Sequence, residues 1–175
     1  MLKSSGVVRK IDDLGRIVIP KEIRKYLGIR EGENIEIAVE DSNIKLTKKN
    51  IINNYLEDIN NICEVASSLV SGTIIITDRD KVTYVSDSFT LNVGDNLSLE
   101  LTNIMDNRLY TEEDILKKFI FNKKELVGYF SIYPIIDEGN AIGLVIIYDK
   151  NNSVRNYHLL THFIANYISR KIDIS

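Results

Sequence analysis

No apolar run in this sequence exceeds five residues. The longest, Leu144 to Tyr148, is far short of the roughly 20 that a membrane-spanning helix needs. Cysteine occurs once, at Cys63, so no intramolecular disulfide can form, and a lone thiol suits a reducing compartment. The charged start, Met1 to Lys3, has no apolar stretch behind it, which excludes a visible secretory signal. A cytoplasmic protein with no membrane partner is therefore expected. Alanine is scarce (4 residues) beside isoleucine (28) and asparagine (17), a bias of AT-rich coding rather than of function. No nucleophile triad, phosphate loop or paired-carboxylate site stands out, so neither an enzyme nor a cofactor is expected. What is present is an ordinary folded composition, 175 residues with 44% hydrophobic and 27% charged, enough for one typical domain or two small ones.

The net charge of −3 conceals an asymmetry. Residues 1–30 carry 8 basic against 3 acidic side chains, whereas residues 51–175 carry 11 basic against 17 acidic. A basic head on an acidic body fits a polyanion-binding module joined to something that does not bind polyanions. A merely uneven solvated surface would give the same count.

Along the chain, residues 6–11 read as a short strand, Asp12 to Gly15 as a turn, and Arg16 to Ile19 as a second β-branched strand. Pro20 stops that strand and suits the start of a helix, expected over about Lys21 to Leu27, with Ile23 and Leu27 on its buried face. Gly28 fits a left-handed cap. Ile35, Ile37 and Val39 alternate with polar neighbours as a half-buried strand, and residues 44–47 return as its partner after the turn at Asp41-Ser42-Asn43. Four short strands and a two-turn helix in about 50 residues bury too little to be comfortable alone, so this unit is expected to be an obligate dimer.

Residues 51–71 form a connecting helix with apolar residues at Ile52, Leu56, Ile59, Cys63 (or Ile62), Ala66 and Val70 (or Leu69). A short coiled coil between chains and a helix facing the core of the next domain explain this stripe equally well, and both uses are expected: pairing between chains at its start and packing on the next domain at its end. Residues 72–175 then read as an α+β domain with an antiparallel sheet. A hairpin joins 73–77 to 81–85, and helical spacing marks 98–107 and 112–121, the latter with Thr111 as N-cap before Glu112, Glu113 and Asp114. Strands follow at 126–136 and 141–148. A closing helix over about 153–172 is expected to bury Leu160, Phe163, Ile164, Tyr167 and Ile168. His158 and His162 have the spacing of a metal-ligating pair, with Cys63 a distant third donor, but helix-surface histidines and a small buried thiol explain them better; no metal is expected.

The run from Gly6 through Arg9, Asp12-Asp13-Leu14-Gly15-Arg16, the β-branched residues ending in Pro20, the basic helix and Leu27-Gly28 closely resembles the DNA-binding domain of the AbrB family of bacterial transition-state regulators. The resemblance implies a mainly-β, swapped-hairpin dimer over residues 1–50 that binds double-stranded, often A/T-rich DNA. It implies DNA contacts at Arg9, Arg16, Arg24 and Lys25, with weaker candidates at Lys3 and Lys10. At Lys25 some members carry Arg, so a point charge replaces a planar fork. The length, the connecting helix and the hairpin from Thr73 resemble a two-domain branch of that family, whose second half is GAF-like. That branch regulates genes in the developing forespore and assembles as a tetramer. Self-association and a small ligand between sheet and helices are thus the expected uses of the second half, although it lacks the polar signature of cyclic-nucleotide-binding GAF domains, and no ligand pocket residue is assigned. The alternative is an antitoxin, whose C-terminal part would bind a protein partner.

Overall fold

The computed structural model describes residues 6–31, 33–87, 90–111 and 114–173, so Lys3, Glu112 and Glu113 lie outside the described residues. The chain divides into two units, Met1–Lys49 and Asn50–Ser175.

In the first unit, Pro20 caps helix α1 (Lys21–Leu27), and Gly28 ends it at a φ of 65°, a left-handed turn that costs glycine little. Strands β1 (Ile35–Glu40) and β2 (Asn43–Lys48) pair antiparallel in the register Ile35↔Lys48 to Glu40↔Asn43. Residues 6–11 and 16–19, expected as strands, carry no ladder among the described residues beyond a bond from Asp12 N–H to Arg16 O at 3.1 Å. β-branched residues favour extended backbone, but a strand also needs a partner row of donors and acceptors, and the described residues of this chain supply none there. The expected buried faces differ as well. Ile23 is half-buried and Leu27 exposed; along β1, Ile35 is half-buried while Ile37 and Val39 are 69% and 76% exposed. Among the described residues of this unit, no apolar residue is buried.

The second unit is built on a five-stranded antiparallel sheet in the order β4-β3-β7-β6-β5. Its strands are β3 (Thr73–Thr77), β4 (Val82–Val85), β5 (Lys117–Phe121), β6 (Lys124–Asp137) and β7 (Asn140–Asp149). Side chains alternate between two faces, so β3 and β7, covered on both, read as unbroken apolar runs. Ile74, Ile76, Val145 and Ile147 meet α2 (Leu56–Ser67) and α4 (His158–Asp173); Ile75, Leu144 and Ile146 face Leu101 and Met105 of α3 (Leu99–Asp106). Phe130 anchors the second core, edge-to-face with Phe119 at 4.7 Å and tilted against Tyr148 at 4.9 Å.

The helix after the first unit keeps its stripe. Ile52, Ile59, Cys63 and Ala66 are buried, Cys63 is preferred over half-buried Ile62, and Val70 is more buried than Leu69. This stripe packs into the core of the second unit, which includes Ile164, Ala165 and Ile168. Of the helix expected over 112–121, residues 117–121 are instead strand β5, with Phe119 and Phe121 buried and Ile120 exposed; Ile115 and Leu116, before the strand, are exposed too. Pairing with β6 satisfies the backbone, and Asn122, at a φ of 53°, makes the tight turn between them. Thr111 is not a helix cap but bridges to Ile132. On α4, Thr161, Ala165 and Ile172 join Ile164 and Ile168 inside, while Leu160 and Tyr167 are half-buried and Phe163 is 56% exposed. The helix is turned so that Thr161 Oγ1 meets Ser131 Oγ at 2.8 Å, satisfying two fully buried hydroxyls.

Burial without a polar partner pushes the Cys63 thiol up from 9.0 to about 12. The folded state holds a proton that the unfolded chain releases above pH 9, so the stability contributed is complete below that pH. It then declines by about 1.4 kcal/mol per pH unit as the pH rises towards the folded value. Iodoacetamide at pH 8 is expected to leave the native thiol unmodified over hours and to label it within minutes in denaturant. Rapid native labelling would mean that the core opens around Cys63.

Candidate nucleic-acid interface

Arg16 is set by a turn. Asp12 O accepts from Gly15 N–H at 3.0 Å, and Gly15 takes a φ of 77°. Asp12 Oδ1 accepts from the N–H groups of Leu14 and Arg16, at 3.1 and 2.7 Å, and Oδ2 receives Arg16 Nε at 2.8 Å. The N–H of Arg16 and its guanidinium together hold the Asp12 carboxyl below the usual carboxylate range. The Arg16 side chain nevertheless remains 70% exposed. Because the carboxylate engages Nε, the terminal Nη1 and Nη2 are left without a partner among the described residues, and such a pair can match a phosphate.

Arg24 lies on α1 and is tied to the arm that carries Arg16, since its Nε donates to Ile19 O at 3.2 Å. Lys25 follows it, exposed, and neither pairs with Glu22 or Glu31 among the described residues. Both cations sit in the last turn of the helix, where unpaired carbonyls favour positive charge. Arg9 and Lys10 are exposed on the other arm of the turn, without an ion pair among the described residues.

Other cations of this unit have structural work. Glu33, its side chain 3% exposed, takes Lys48 Nζ at 2.9 Å and the N–H of Arg30 at 2.9 Å. Lys48 also donates to Gly28 O at 3.2 Å, fastening the end of α1 to β2. Sequence reasoning missed Asp12 as the residue that orients Arg16. Its signal was legible: Asp first and Gly fourth in a four-residue turn is the pattern in which a carboxylate bonds the following N–H groups.

The histidines stand apart from one another in role. His158 Nδ1 bonds Ser131 Oγ at 2.8 Å; His162 stacks on Tyr133 at 4.6 Å between centroids and shares a bond with Asn166 at 2.9 Å. Among the described residues, no three His, Cys, Asp or Glu side chains are grouped to hold a metal ion. Among them too, no helix is long and apolar enough to cross a membrane. Asp78, singled out with Asp80 as a hairpin turn, does that work: its Oδ1 accepts from the N–H groups of Asp80 and Lys81, each at 2.7 Å.

Comparison with known proteins follows the division into two units. Residues 56–173 match the family described as stage V sporulation protein T C-terminal, transcription factor, and residues 8–53 match the family described as antidote-toxin recognition MazE, bacterial antitoxin. Stage V sporulation protein T of Bacillus subtilis (strain 168) is 31% identical over 98% of this chain and 99% of its own length. Transition state regulatory protein AbrB of the same organism is 55% identical over 47 residues, 27% of this chain and 49% of that protein. The GAF domain of a two-component sensor histidine kinase from Bacillus halodurans superposes with a TM-score of 0.50 at 19% identity, covering 67% of this chain and 93% of that one. The sheet with its flanking helices is thus a GAF-like fold, and the first unit is AbrB/MazE-like. By near full-length similarity and by the match of its second unit, the chain belongs to the stage V sporulation protein T family of transcription factors.

Proposed function

We propose that the first unit reads double-stranded DNA, as a dimer, through Arg9, Arg16, Arg24 and Lys25, with Lys10 and Lys3 adding backbone contacts. The observation that carries this is the Arg16 guanidinium, fixed by the Asp12 turn yet 70% exposed, in a head whose residues 1–30 carry 8 basic and 3 acidic side chains. A seven-residue helix is too short to read a major groove as a helix-turn-helix does, so recognition rests on phosphates and groove shape, which favours A/T-rich promoters. Two chains bring about eight cations to the duplex. Pairing of two heads would cover Val8, Val18 and Val39, each more than 70% exposed in the single chain. The GAF-like units join such dimers into a tetramer in a nucleoid-associated, cytoplasmic regulator that acts in the forespore. A small ligand would sit in the open hollow of about 600 Å³ beside Thr73, Thr90, Tyr148 and Lys150, and would act by favouring one arrangement of the assembly.

The test is binding to an A/T-rich promoter duplex as salt is raised. A steep loss of affinity, with a slope of about −7 for eight contacts, supports the reading; absence of binding at low salt overturns it. Asp12 gives a second, sharper check. Asp12→Ala is expected to weaken binding about three- to tenfold although it removes a negative charge, because the Arg16 guanidinium loses its orienting partner. Asp12→Asn retains an acceptor for the two N–H groups and should bind within about twofold of wild type, as Asx turns form with either residue. Tighter binding by Asp12→Ala would show that Asp12 acts only as a repulsive charge.

The second reading, an antitoxin, is favoured by the match of residues 8–53 to the MazE family. Against it stands the second unit, whose two apolar cores, one on each face of the sheet, make it a folded domain rather than a tail that orders on binding.

A further inference from the structure

Helix α1 has little of its own to hold it in place. It is seven residues long and buries none of them, too short to persist on helix propensity alone. Its position depends on polar fastenings. Arg24 Nε reaches back to Ile19 O, before the first turn, at 3.2 Å. At the far end Ile29 N–H closes on Arg24 O at 2.8 Å, and Lys48 of β2 donates to Gly28 O at 3.2 Å. The ammonium that makes this last bond is fixed by Glu33 at 2.9 Å, and Glu33 in turn accepts from the N–H of Arg30, also at 2.9 Å.

This pair differs from a surface ion pair. The Glu33 side chain is 3% exposed and that of Lys48 26%, against 59% and 57% for Glu40 and Lys45, the other pair on the same hairpin. A carboxylate taken out of water is held there only by its partners, so losing the ammonium leaves a buried charge unpaired and drives the loop after α1 open. β2 holds Lys48 in register opposite Ile35, and the pair thereby ties the end of α1 to the hairpin. Arg24 and Lys25 stand in the last turn of α1, one turn before the carbonyl that Lys48 grips. We infer that Glu33 and Lys48 are positioning residues of the DNA interface: by holding the end of α1 they aim Arg24 and Lys25, and Lys48, though a cation in a basic head, directs its charge at Glu33 and not at a phosphate. This rests on the reading above, in which the first unit binds DNA through Arg9, Arg16, Arg24 and Lys25, and it names the pair that keeps two of those residues in place.

Binding of the full-length protein to the A/T-rich duplex at about 50 mM salt tests it, where Arg9 and Arg16 alone still give measurable affinity. Lys48→Met is expected to weaken binding about tenfold in the wild type and again in an Arg16→Ala background, but less than about twofold once Arg24→Ala and Lys25→Ala are present, since no cation is then left to aim. Lys48→Arg keeps the charge and its donors and should bind within about threefold of wild type. Glu33→Gln removes a negative charge facing a polyanion, yet should weaken binding about threefold because the ammonium loses its anchor. The circular dichroism spectrum of each variant reports whether it is folded, and should Lys48→Met not fold, the same set of backgrounds with Glu33→Gln decides. An equal loss in every background shows that Lys48 meets a phosphate itself or that the pair serves folding alone; it overturns the proposal and leaves the DNA-binding reading standing. Tighter binding by Glu33→Gln does the same. No binding by the unchanged protein overturns the reading and the proposal together.

Discussion

Replacing Arg16 with Ala is expected to flatten the dependence of DNA affinity on salt by about two units, one contact from each of two chains. Affinity at 0.1 M salt should fall about 10- to 100-fold, as each chain loses a charge-assisted phosphate contact. The physical reason lies in the Asp12 turn. A flexible cation contributes little because ordering it costs side-chain entropy, whereas Arg16 already has Nε on the Asp12 carboxylate and its N–H on the same group. Combining Arg16→Ala with Arg24→Ala should remove about four contacts and bring affinity near that of a protein without a DNA site. Retained binding by the double variant, with the slope unchanged, would place the DNA surface elsewhere and leave the head as a pairing module only.

Phe130→Ala is expected to destabilise the second unit by about 3–5 kcal/mol, the usual cost of removing a buried phenyl ring. Phe130 is 1% exposed and touches both Phe119 and Tyr148, so no neighbour can move in without leaving its own site. Thermal unfolding should show that transition lowered by about 10–20 °C. The slope of DNA affinity against salt at 25 °C should be unchanged while the unit stays folded, because the proposed phosphate contacts lie in the first unit. A shift of under 1 kcal/mol would mean that this core is fluid, as in a segment that orders only on a partner, and would revive the antitoxin reading.

Much of this architecture was legible in residues alone, where local chemistry suffices. Pro20 and Gly28 mark the two ends of α1, since one lacks the N–H that a helix start leaves unpaired and the other tolerates the left-handed cap. The strand pairs at 73–85 and 124–149 follow from β-branched runs separated by short polar turns, and Glu138-Gly139, both at positive φ, makes the second of these. The stripe through Ile59, Cys63 and Ala66 is set by helical period. The basic residues of the head were likewise readable, because charge and turn chemistry are written in sequence order.

What residues alone left open depends on which surface meets which. The apolar residues at 115, 116, 119 and 120 fit a helix as well as a strand, and the choice fell to β6, whose open edge pairs β5 and draws Phe119 and Phe121 inward. On α4, Phe163 is the more hydrophobic candidate for the core, yet Thr161 lies inside because Ser131 on β6 offers its hydroxyl a partner. Burying a satisfied hydroxyl costs little, and the rotation that achieves it leaves Phe163 outside. The orientation of Arg16 by Asp12 combines both levels: the turn is local, but Nε, not a terminal nitrogen, meets the carboxylate only because the folded turn brings residues 12 and 16 together. Period and turn chemistry determine which elements form, since they act between near neighbours in the chain. Which faces are covered is decided in three dimensions, by partners that lie far away along it.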